Sequence, residues 1–184
     1  MARFVFLDRD GTLLRDEGYT HRIEDYELLP GAVEGLRRLV DAGFEIAIVT
    51  NQSGIGRGYF DEASYQAFRA HVEKDLAGHD IPIARTYHCP HAPDSGCACR
   101  KPKPGMLLRA RDELAADLAA SFVVGDRPHD LELAERAGCA GSVLIDPAGS
   151  AGSARDLLEA ADRILSGAAG PFRGGPSDGP TGSG

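Results

Sequence analysis

Two carboxylates one residue apart follow an apolar run near the start of the chain. The stretch FVFLDRDGTLL places Asp8 and Asp10 directly after residues 4–7, whose composition is typical of a buried β-strand. Charge at the end of a buried strand is costly unless it is paired or holds a metal ion. An Asp at such a position can also simply cap the following turn, so the pair alone leaves both explanations open.

The sequence contains further residue types that phosphoryl transfer needs, most of them directly after an apolar run. Thr50 and Asn51 follow a second apolar run, Asp126 follows a later one, and Lys101 lies in the stretch CRKPKPG. An Asp nucleophile for phosphoryl transfer needs a divalent cation, a proton donor to the leaving oxygen, and cations around the transferred group. Each of these requirements has a candidate, so the set favours chemistry over turn capping.

A second group of residues has the types of a metal site. The segment YHCPHAPDSGCACRKPKPG contains Cys89, His91, Cys97 and Cys99, and three sulfurs with one imidazole suit a tetrahedral, structural Zn²⁺. The spacing departs from the two-residue gaps of common zinc fingers, and the alternative is a handful of buried or surface cysteines. We favour zinc because a Pro-rich loop offers no helix that would bury them. Such a zinc is predicted to fix the loop before Lys101.

Strand and helix patterns alternate along the chain. Strands are predicted at 4–7, 44–50, 86–89, 121–125 and 142–145, and helices at 32–42, 61–76, 104–118, 128–137 and 154–165. Near-continuous apolar strands separated by helices predict an α/β fold, a three-layer Rossmann-like parallel sheet with helices on both faces. Ligands of such sheets bind at the carboxyl ends of the strands, where the polar residues described above stand.

Length, composition and charge restrict the possible functions. The 184 residues fit one domain, predicted over 1–166, and the Gly-, Pro- and Ser-rich residues 167–184 are predicted to be a disordered tail. The net charge of −8 argues against broad affinity for nucleic acid or anionic membranes. No apolar run approaches the roughly 20 residues of a membrane helix, and no signal peptide is seen, so we expect a cytoplasmic protein.

Four motifs occur in a recognisable order. DRDGT, VTNQSG, CRKPKPG and VGDRPHD follow one another as in the haloacid dehalogenase superfamily of phosphatases, which the sequence resembles over about residues 4–165. With only about 35 residues between the first two strands, we expect no large cap domain and an open site.

The resemblance implies a role for each motif residue. Asp8 would attack phosphorus to form an aspartyl-phosphate, and Asp10 would protonate the leaving alcohol and then activate water. Thr50 and Lys101 would bind the phosphoryl oxygens. Magnesium would be held by Asp8, Asp126 and the backbone carbonyl of Asp10. Asp130 would bind this metal through water or cap the helix that begins near residue 128.

The cysteine segment narrows the resemblance. The sequence is similar to the family of D-glycero-D-manno-heptose 1,7-bisphosphate 7-phosphatases and histidinol-phosphatases, which share the Cys-x-His and Cys-x-Cys pairs. This implies removal of the 7-phosphate of the heptose bisphosphate, with histidinol phosphate as the alternative substrate. Basic residues near the motifs support a doubly anionic substrate. The expected substrate contacts are Asp16, Glu17, Gly18, Tyr19, Asn51, Gln52, Ser53, Arg57, Arg100 and Arg127.

Two further hypotheses remain. Nucleic-acid 3′-phosphatases share the motifs and an open site, although the acidic composition speaks against one. From a different class, the chain could be a catalytically silent, zinc-stapled binding module, which the intact catalytic set argues against. We therefore expect an enzyme with catalytic Mg²⁺ and structural Zn²⁺ that acts as a monomer on a small phosphorylated sugar, without nucleic-acid or membrane partners.

Overall fold

A parallel sheet forms the centre of residues 1–170, the part of the chain that the computed structural model describes. Its strands are β1 (Phe4–Leu7), β2 (Glu45–Asn51), β3 (Ile83–Cys89), β4 (Phe122–Gly125) and β5 (Gly141–Leu144). They lie in the order β3-β2-β1-β4-β5, and every neighbouring pair is parallel. The predicted α/β fold class is confirmed, with β1 at the centre of the sheet.

Helices cover both faces of the sheet. They are α1 (Ala32–Asp41), α2 (Ser53–Gly56), α3 (Glu62–Gly78), α4 (Gly105–Leu114), α5 (Pro128–Ala137) and α6 (Leu157–Leu165), with 3-10 turns at Ile23–Asp25 and Leu118–Ala120. Because side chains of a strand point alternately to opposite faces, β1 contributes to two cores. Val5 and Leu7 pack in the core formed with α1, α3 and α6, whereas Phe4 and Phe6 pack in the core formed with α4 and α5.

The region before β2 contains no inserted lid domain. The chain between β1 and β2 forms only loops, the first 3-10 turn and α1. The loop that follows β1 runs through Asp8, Asp10 and Gly11, and Gly11 has a positive φ of 78°, a conformation that favours glycine. Within residues 1–170, the chain between β1 and β2 thus adds no large cap domain, as the sequence predicted.

Helix α4 is shorter than the sequence predicts. It ends at Leu114 instead of residue 118, because Ala115 takes a left-handed conformation with φ 52°. The Ala115 carbonyl accepts a hydrogen bond from the Ala2 amide at 3.2 Å, and the Asp117 amide donates to the Ala2 carbonyl at 2.8 Å. This tertiary pairing outweighs the high helix propensity of the alanine-rich stretch.

Helix α6 also begins later than predicted. Residue 154 pairs with Ile145 in an isolated bridge, and the helix begins at Leu157 after Asp156, whose carboxylate accepts a hydrogen bond from the Glu159 amide at 2.9 Å. An Asp at this N-cap position is the usual start signal. Strand β3 in turn begins three residues before its predicted start.

The end of the described chain lies against α6. The amides of Ala168 and Ala169 both donate to the carbonyl of Arg163, at 2.9 and 3.0 Å. The first residues of the predicted tail, 167–170, thus close the end of α6, and residues 171–184 lie outside the described part. No helix within residues 1–170 is long and apolar enough to span a membrane.

Candidate active site

A cavity of about 280 Å³ opens at the carboxyl ends of β1, β2 and β4. These strands lie side by side in the sheet, so the polar residue that follows each of them reaches the same place. Most of the predicted catalytic and substrate-contacting residues line this cavity. They are Asp8, Asp10, Asp16, Gly18, Tyr19, Thr50, Asn51, Gln52, Ser53, Arg100, Asp126 and Arg127.

Two predicted substrate residues do not reach the cavity wall. Glu17 lines a neighbouring groove instead, and Arg57 is exposed at the end of α2. The entrance loop, residues 16–20, presents only Asp16, Gly18 and Tyr19 to the cavity. Of the four residues predicted at the substrate entrance, Asp16 to Tyr19, three line this cavity.

The ammonium of Lys101 lies beneath the cavity, in contact with the predicted nucleophile. Its Nζ is 2.9 Å from Oδ1 of Asp8 and 2.7 Å from Oδ1 of Asp130, and it donates a hydrogen bond to the carbonyl of Val49 at 3.0 Å. The Lys101 side chain has no exposed surface. Burial alone would lower the pKa of Lys101, but the two carboxylates outweigh it and raise the pKa. Lys101 is therefore a charged partner of Asp8, the predicted nucleophile.

Asn51 fixes the backbone of the lysine. Its side-chain oxygen accepts a hydrogen bond from the Lys101 amide at 3.0 Å, and its side-chain nitrogen donates to the Lys101 carbonyl at 3.3 Å. The last residue of β2 thus sets the position of the loop that brings Lys101 to the site. A substrate contact was predicted for Asn51, and its place in the cavity wall leaves it available for one.

Three donors hold the carboxylate of Asp10. Arg9 approaches it in bidentate fashion, with Nε 2.9 Å from Oδ1 and Nη2 2.9 Å from Oδ2. The side-chain nitrogen of Gln52 donates to Oδ2 of Asp10 at 2.9 Å and also to the hydroxyl of Thr50 at 2.9 Å. Gln52 therefore connects the predicted acid/base with the predicted phosphoryl-binding hydroxyl.

Asp126 offers an oxygen without a hydrogen-bond donor. Its Oδ1 is buried and unpartnered, while its Oδ2 accepts a hydrogen bond from Nε of Arg127 at 3.1 Å. Burial, followed by the charge of Asp8, raises the pKa of Asp126 to about 6. Crowded carboxylates of this kind favour a divalent cation, and their hard oxygens are ligands that Mg²⁺ takes. The donor set fits the predicted metal.

Asp130 caps helix α5, one of the two roles that the sequence left open to it. Its Oδ2 accepts a hydrogen bond from the Arg127 amide at 3.1 Å at the start of α5, while Oδ1 faces Lys101. Burial and the nearby Asp8 raise the pKa of Asp130 to about 7. The ion pair with Lys101 is an additional contact that the sequence did not predict.

His129 lines the cavity although no function was predicted for it. Its Nε2 lies 3.8 Å from Oδ1 of Asp130, and burial, followed by the charge of Lys101, lowers the imidazole pKa. Its position next to the VGD motif is the one signal that could have placed it here. The packing of α5 against β4 brings the side chain to the cavity.

The four predicted zinc ligands come together. The Sγ–Nδ1 distances are 3.6 Å from Cys89 to His91 and 3.3 Å from Cys99 to His91, and the Cys89 and Cys97 sulfurs lie 3.6 Å apart. With Zn–S of about 2.3 Å and Zn–N of about 2.0 Å, tetrahedral geometry requires separations of about 3.5–3.8 Å between ligand atoms. Two of the three separations fall in this range and the third is slightly shorter, and all four ligand atoms lie within 4.8 Å of one another, so the four residues could hold one metal ion.

Hydrogen bonds from α2 and from Lys103 hold the cysteine loop, residues 89–99. The amide of Gly56 donates to the carbonyl of Pro90 at 2.8 Å, and the ammonium of Lys103 donates to the carbonyls of Gly96 and Cys97 at 3.1 and 2.6 Å. Arg100 leaves this loop and lines the cavity, where its buried Nη1 has no protein partner. The loop thus positions a guanidinium that a substrate anion can approach.

Comparisons with known proteins agree with this geometry. A family model described as HAD-hydrolase-like matches residues 98–163. The D-glycero-beta-D-manno-heptose-1,7-bisphosphate 7-phosphatase of Escherichia coli K12 is 43% identical over 148 residues, 77% of this chain and 78% of that protein. The D-glycero-alpha-D-manno-heptose-1,7-bisphosphate 7-phosphatase of Photorhabdus laumondii is 40% identical over 150 residues, 78% of this chain and 82% of that protein.

A solved structure extends the similarity to the fold. The D,D-heptose 1,7-bisphosphate phosphatase of B. bronchiseptica, crystallised with magnesium and phosphate, superposes with a TM-score of 0.79 and 33% identity. The match covers 90% of this chain and 99% of that one. The chain therefore belongs to the family of D-glycero-D-manno-heptose 1,7-bisphosphate 7-phosphatases in the haloacid dehalogenase superfamily.

Proposed function

We propose that this protein is a Mg²⁺-dependent phosphomonoesterase that removes the 7-phosphate of D-glycero-D-manno-heptose 1,7-bisphosphate. The observation that carries the proposal is the convergence of Asp8, Asp10 and Asp126 on one cavity, with Lys101 paired to Asp8. The names of the relatives, from proteins that span most of this chain, support the substrate. Arg100 and Arg127 in the cavity wall provide charge for a second phosphate.

The first chemical step uses Asp8 as nucleophile and Asp10 as acid. A bond forms between an Asp8 oxygen and phosphorus while the bond from phosphorus to the sugar oxygen breaks. The proton of the Asp10 carboxyl group passes to the departing sugar oxygen, which leaves as an alcohol. The raised pKa of Asp10, caused chiefly by burial, supports this role because a protonated carboxyl group is required.

In the second step Asp10 acts as a base, and Asp8 is the group that leaves phosphorus. Asp10, now a carboxylate, accepts a proton from water as the water oxygen attacks phosphorus. The bond between Asp8 and phosphorus breaks, which releases inorganic phosphate and restores the free Asp8 carboxylate. Lys101 offsets negative charge at Asp8, and Thr50 offers a hydroxyl at the end of β2.

We assign the magnesium ligands to Asp8, Asp126 and the backbone carbonyl of Asp10. The unpartnered Oδ1 of Asp126 supports this assignment. So does the related B. bronchiseptica enzyme, which was crystallised with magnesium. When bound, the ion would neutralise charge on the phosphoryl oxygens and on the crowded carboxylates.

We assign the zinc to Cys89, His91, Cys97 and Cys99. All four ligand atoms lie within 4.8 Å of one another, and a closed set of four leaves no open coordination position for substrate. The ion would therefore be structural. Its effect would be to hold the loop from which Arg100 and Lys101 extend.

The substrate assignment is tested by phosphate release from a panel of compounds. The panel contains both anomers of the heptose 1,7-bisphosphate, fructose 1,6-bisphosphate and histidinol phosphate, each with and without Mg²⁺. We expect a preference of about a hundredfold or more for one heptose anomer, equivalent to about 2.7 kcal/mol of transition-state discrimination. Higher turnover of histidinol phosphate would show that histidinol phosphate is the substrate instead. Equal activity on all compounds would refute the assignment of the heptose bisphosphate.

The aspartyl-phosphate route is tested with Asp8→Asn. The variant keeps the shape of the side chain and its acceptor for the Arg9 amide but lacks the nucleophile. We expect no turnover together with retained binding of inorganic phosphate. Turnover at a wild-type rate would exclude the route. The cytoplasmic location, the monomeric state and the lack of nucleic-acid partners stay predictions.

A further inference from the structure

Arg9 is the residue between the nucleophile and the acid, and it contacts both. Its backbone amide donates to Oδ1 of Asp8 at 2.7 Å, and its guanidinium holds both oxygens of Asp10. The side chain is only 3% exposed, whereas that of Asp10 is 20% exposed. Within residues 1–170, Asp10 is the one carboxylate that pairs with this buried cation.

The guanidinium also reaches the entrance loop. Its Nη2 donates to the carbonyl of Thr20, the last residue of that loop, at 2.6 Å. Thr20 is itself buried, although Asp16, Gly18 and Tyr19 before it face the cavity mouth. One rigid group therefore joins the entrance loop to the predicted acid/base.

Aromatic rings of α3 restrict the guanidinium further. Its Cζ lies 4.9 Å from the ring centre of Phe68 and 5.9 Å from that of Tyr65, and both rings are fully buried. A guanidinium held by a bidentate pair, a carbonyl and two ring faces has little freedom to move. Lysine could supply the charge but not the planar fork.

From these contacts we propose that Arg9 is a positioning residue that sets the orientation of the Asp10 carboxyl group for proton transfer. A carboxylate has about four lone-pair positions, and the bonds from Arg9 and Gln52 use three of them. Since Asp10 also lines the cavity, the remaining position is left for the leaving oxygen and later for water. The inference rests on the proposed phosphatase function.

The test is the dependence of kcat/KM on the leaving group in a series of aryl phosphates, because kcat/KM reports the first step. A 4-nitrophenolate leaves without protonation, whereas phenolate needs an acid. For Arg9→Lys and Arg9→Met, we expect kcat/KM with phenyl phosphate to fall about a hundredfold, and with 4-nitrophenyl phosphate less than about threefold. Equal losses for all substrates would overturn the inference, because a merely structural role affects every leaving group alike.

A double-mutant cycle and a control complete the test. If Arg9 acts through Asp10, Arg9→Lys should cause little further loss with phenyl phosphate in an Asp10→Asn background, and additive losses would contradict the proposal. Arg3 is the matched control, since its guanidinium lies 4.4 Å from the Phe44 ring centre and bonds the Ala42 carbonyl at the other end of β1. Arg3→Met should leave the dependence of kcat/KM on the leaving group unchanged. A wild-type protein without phosphatase activity would instead refute the proposed function.

Discussion

The carboxylates of Asp130 and Asp8 both pair with the ammonium of Lys101, and Oδ1 of Asp130 lies 2.7 Å from Nζ of Lys101. Neither Asp130 nor Lys101 exposes any side-chain surface, so this ion pair lies beneath the cavity floor and is not part of its wall. Breaking a buried pair by removal of one partner leaves an uncompensated charge. We therefore expect both stability and catalysis to depend on the cation of Lys101.

Replacement of Lys101 by Met should abolish turnover and destabilise the protein. The change leaves Asp8 and Asp130 without their cation, at a cost of about 3–5 kcal/mol, the range found for broken buried pairs. Chemical denaturation and phosphate release measure the two effects. Lys74→Met, at an exposed position of α3, is the control and should change neither quantity.

Adding Asp130→Asn to Lys101→Met separates the two effects. The double variant removes one of the crowded carboxylates, so part of the lost stability should return while activity stays absent. A double variant that is as unstable as Lys101→Met would show that the two carboxylates do not repel each other.

Magnesium binding should release a proton at low pH. In the metal-free protein the pKa of Asp126 is raised to about 6, chiefly by burial and then by Asp8. The protonated form must lose its proton before it binds metal, so affinity should fall by about tenfold between pH 8 and pH 5. Calorimetric titration in two buffers of different ionisation enthalpy measures this release. An affinity that is equal at both pH values would contradict the assignment of Asp126.

Cysteine substitutions should separate the zinc ligands from the remaining cysteine. Cys99→Ser should lose the bound zinc, lower the unfolding temperature and reduce kcat, because Arg100 and Lys101 follow directly in the loop. Cys139→Ser should keep one zinc per chain, since Cys139 packs against the core formed with α4 and α5 and is not part of the Cys89, His91, Cys97 and Cys99 cluster. Metal analysis of purified protein decides the question, and full zinc content in Cys99→Ser would exclude that ligand.

A methyl group at Gly54 should disturb the entrance. A Cβ there would overlap Cε1 of the buried Phe60 and would lie 2.9 Å from Tyr19 Cδ1, so the Phe60 and Tyr19 rings must both move. We expect Gly54→Ala to raise KM about tenfold with a smaller change in kcat, and to cost about 1–3 kcal/mol through overpacking.

Gly78→Ala provides the comparison for Gly54→Ala. Gly78 is the last residue of α3, and a Cβ added there would meet no atom within 4 Å, so this change should leave KM unchanged. It should also stabilise the protein by up to about 1 kcal/mol, because alanine favours the helix. A KM that is the same in both variants would show that Tyr19 does not contact substrate.

The sheet was predictable because its strands carry an unambiguous pattern. Residues 4–7 and 46–49 are apolar and are followed by polar residues, and both segments are buried as expected. The end of α4 was not predictable, since the alanine-rich stretch favours a helix and only the distant Ala2 interrupts it. Short-range patterns hold no information about such a contact.

The site shows the same limit. Motif positions placed Asp8, Asp10 and Asp126 at one cavity, and the four zinc ligands in one cluster. The support beneath them was not predicted: the clamp of Arg9, the amide of Gln52 between Asp10 and Thr50, and the pair of Asp130 with Lys101. These contacts depend on side-chain directions that only the packed sheet and helices define.

The candidate zinc ligands all lie within residues 89–99, and this contiguity affects the order of folding. Closure of a short loop loses little chain entropy, so the cluster can bind its ion without any distant segment. Cys89 is also the last residue of β3, which pairs with β2 along the edge of the sheet. We therefore expect that the loop can bind its metal ion as soon as residues 83–99 have been made, before β4 and α5 are available to pack.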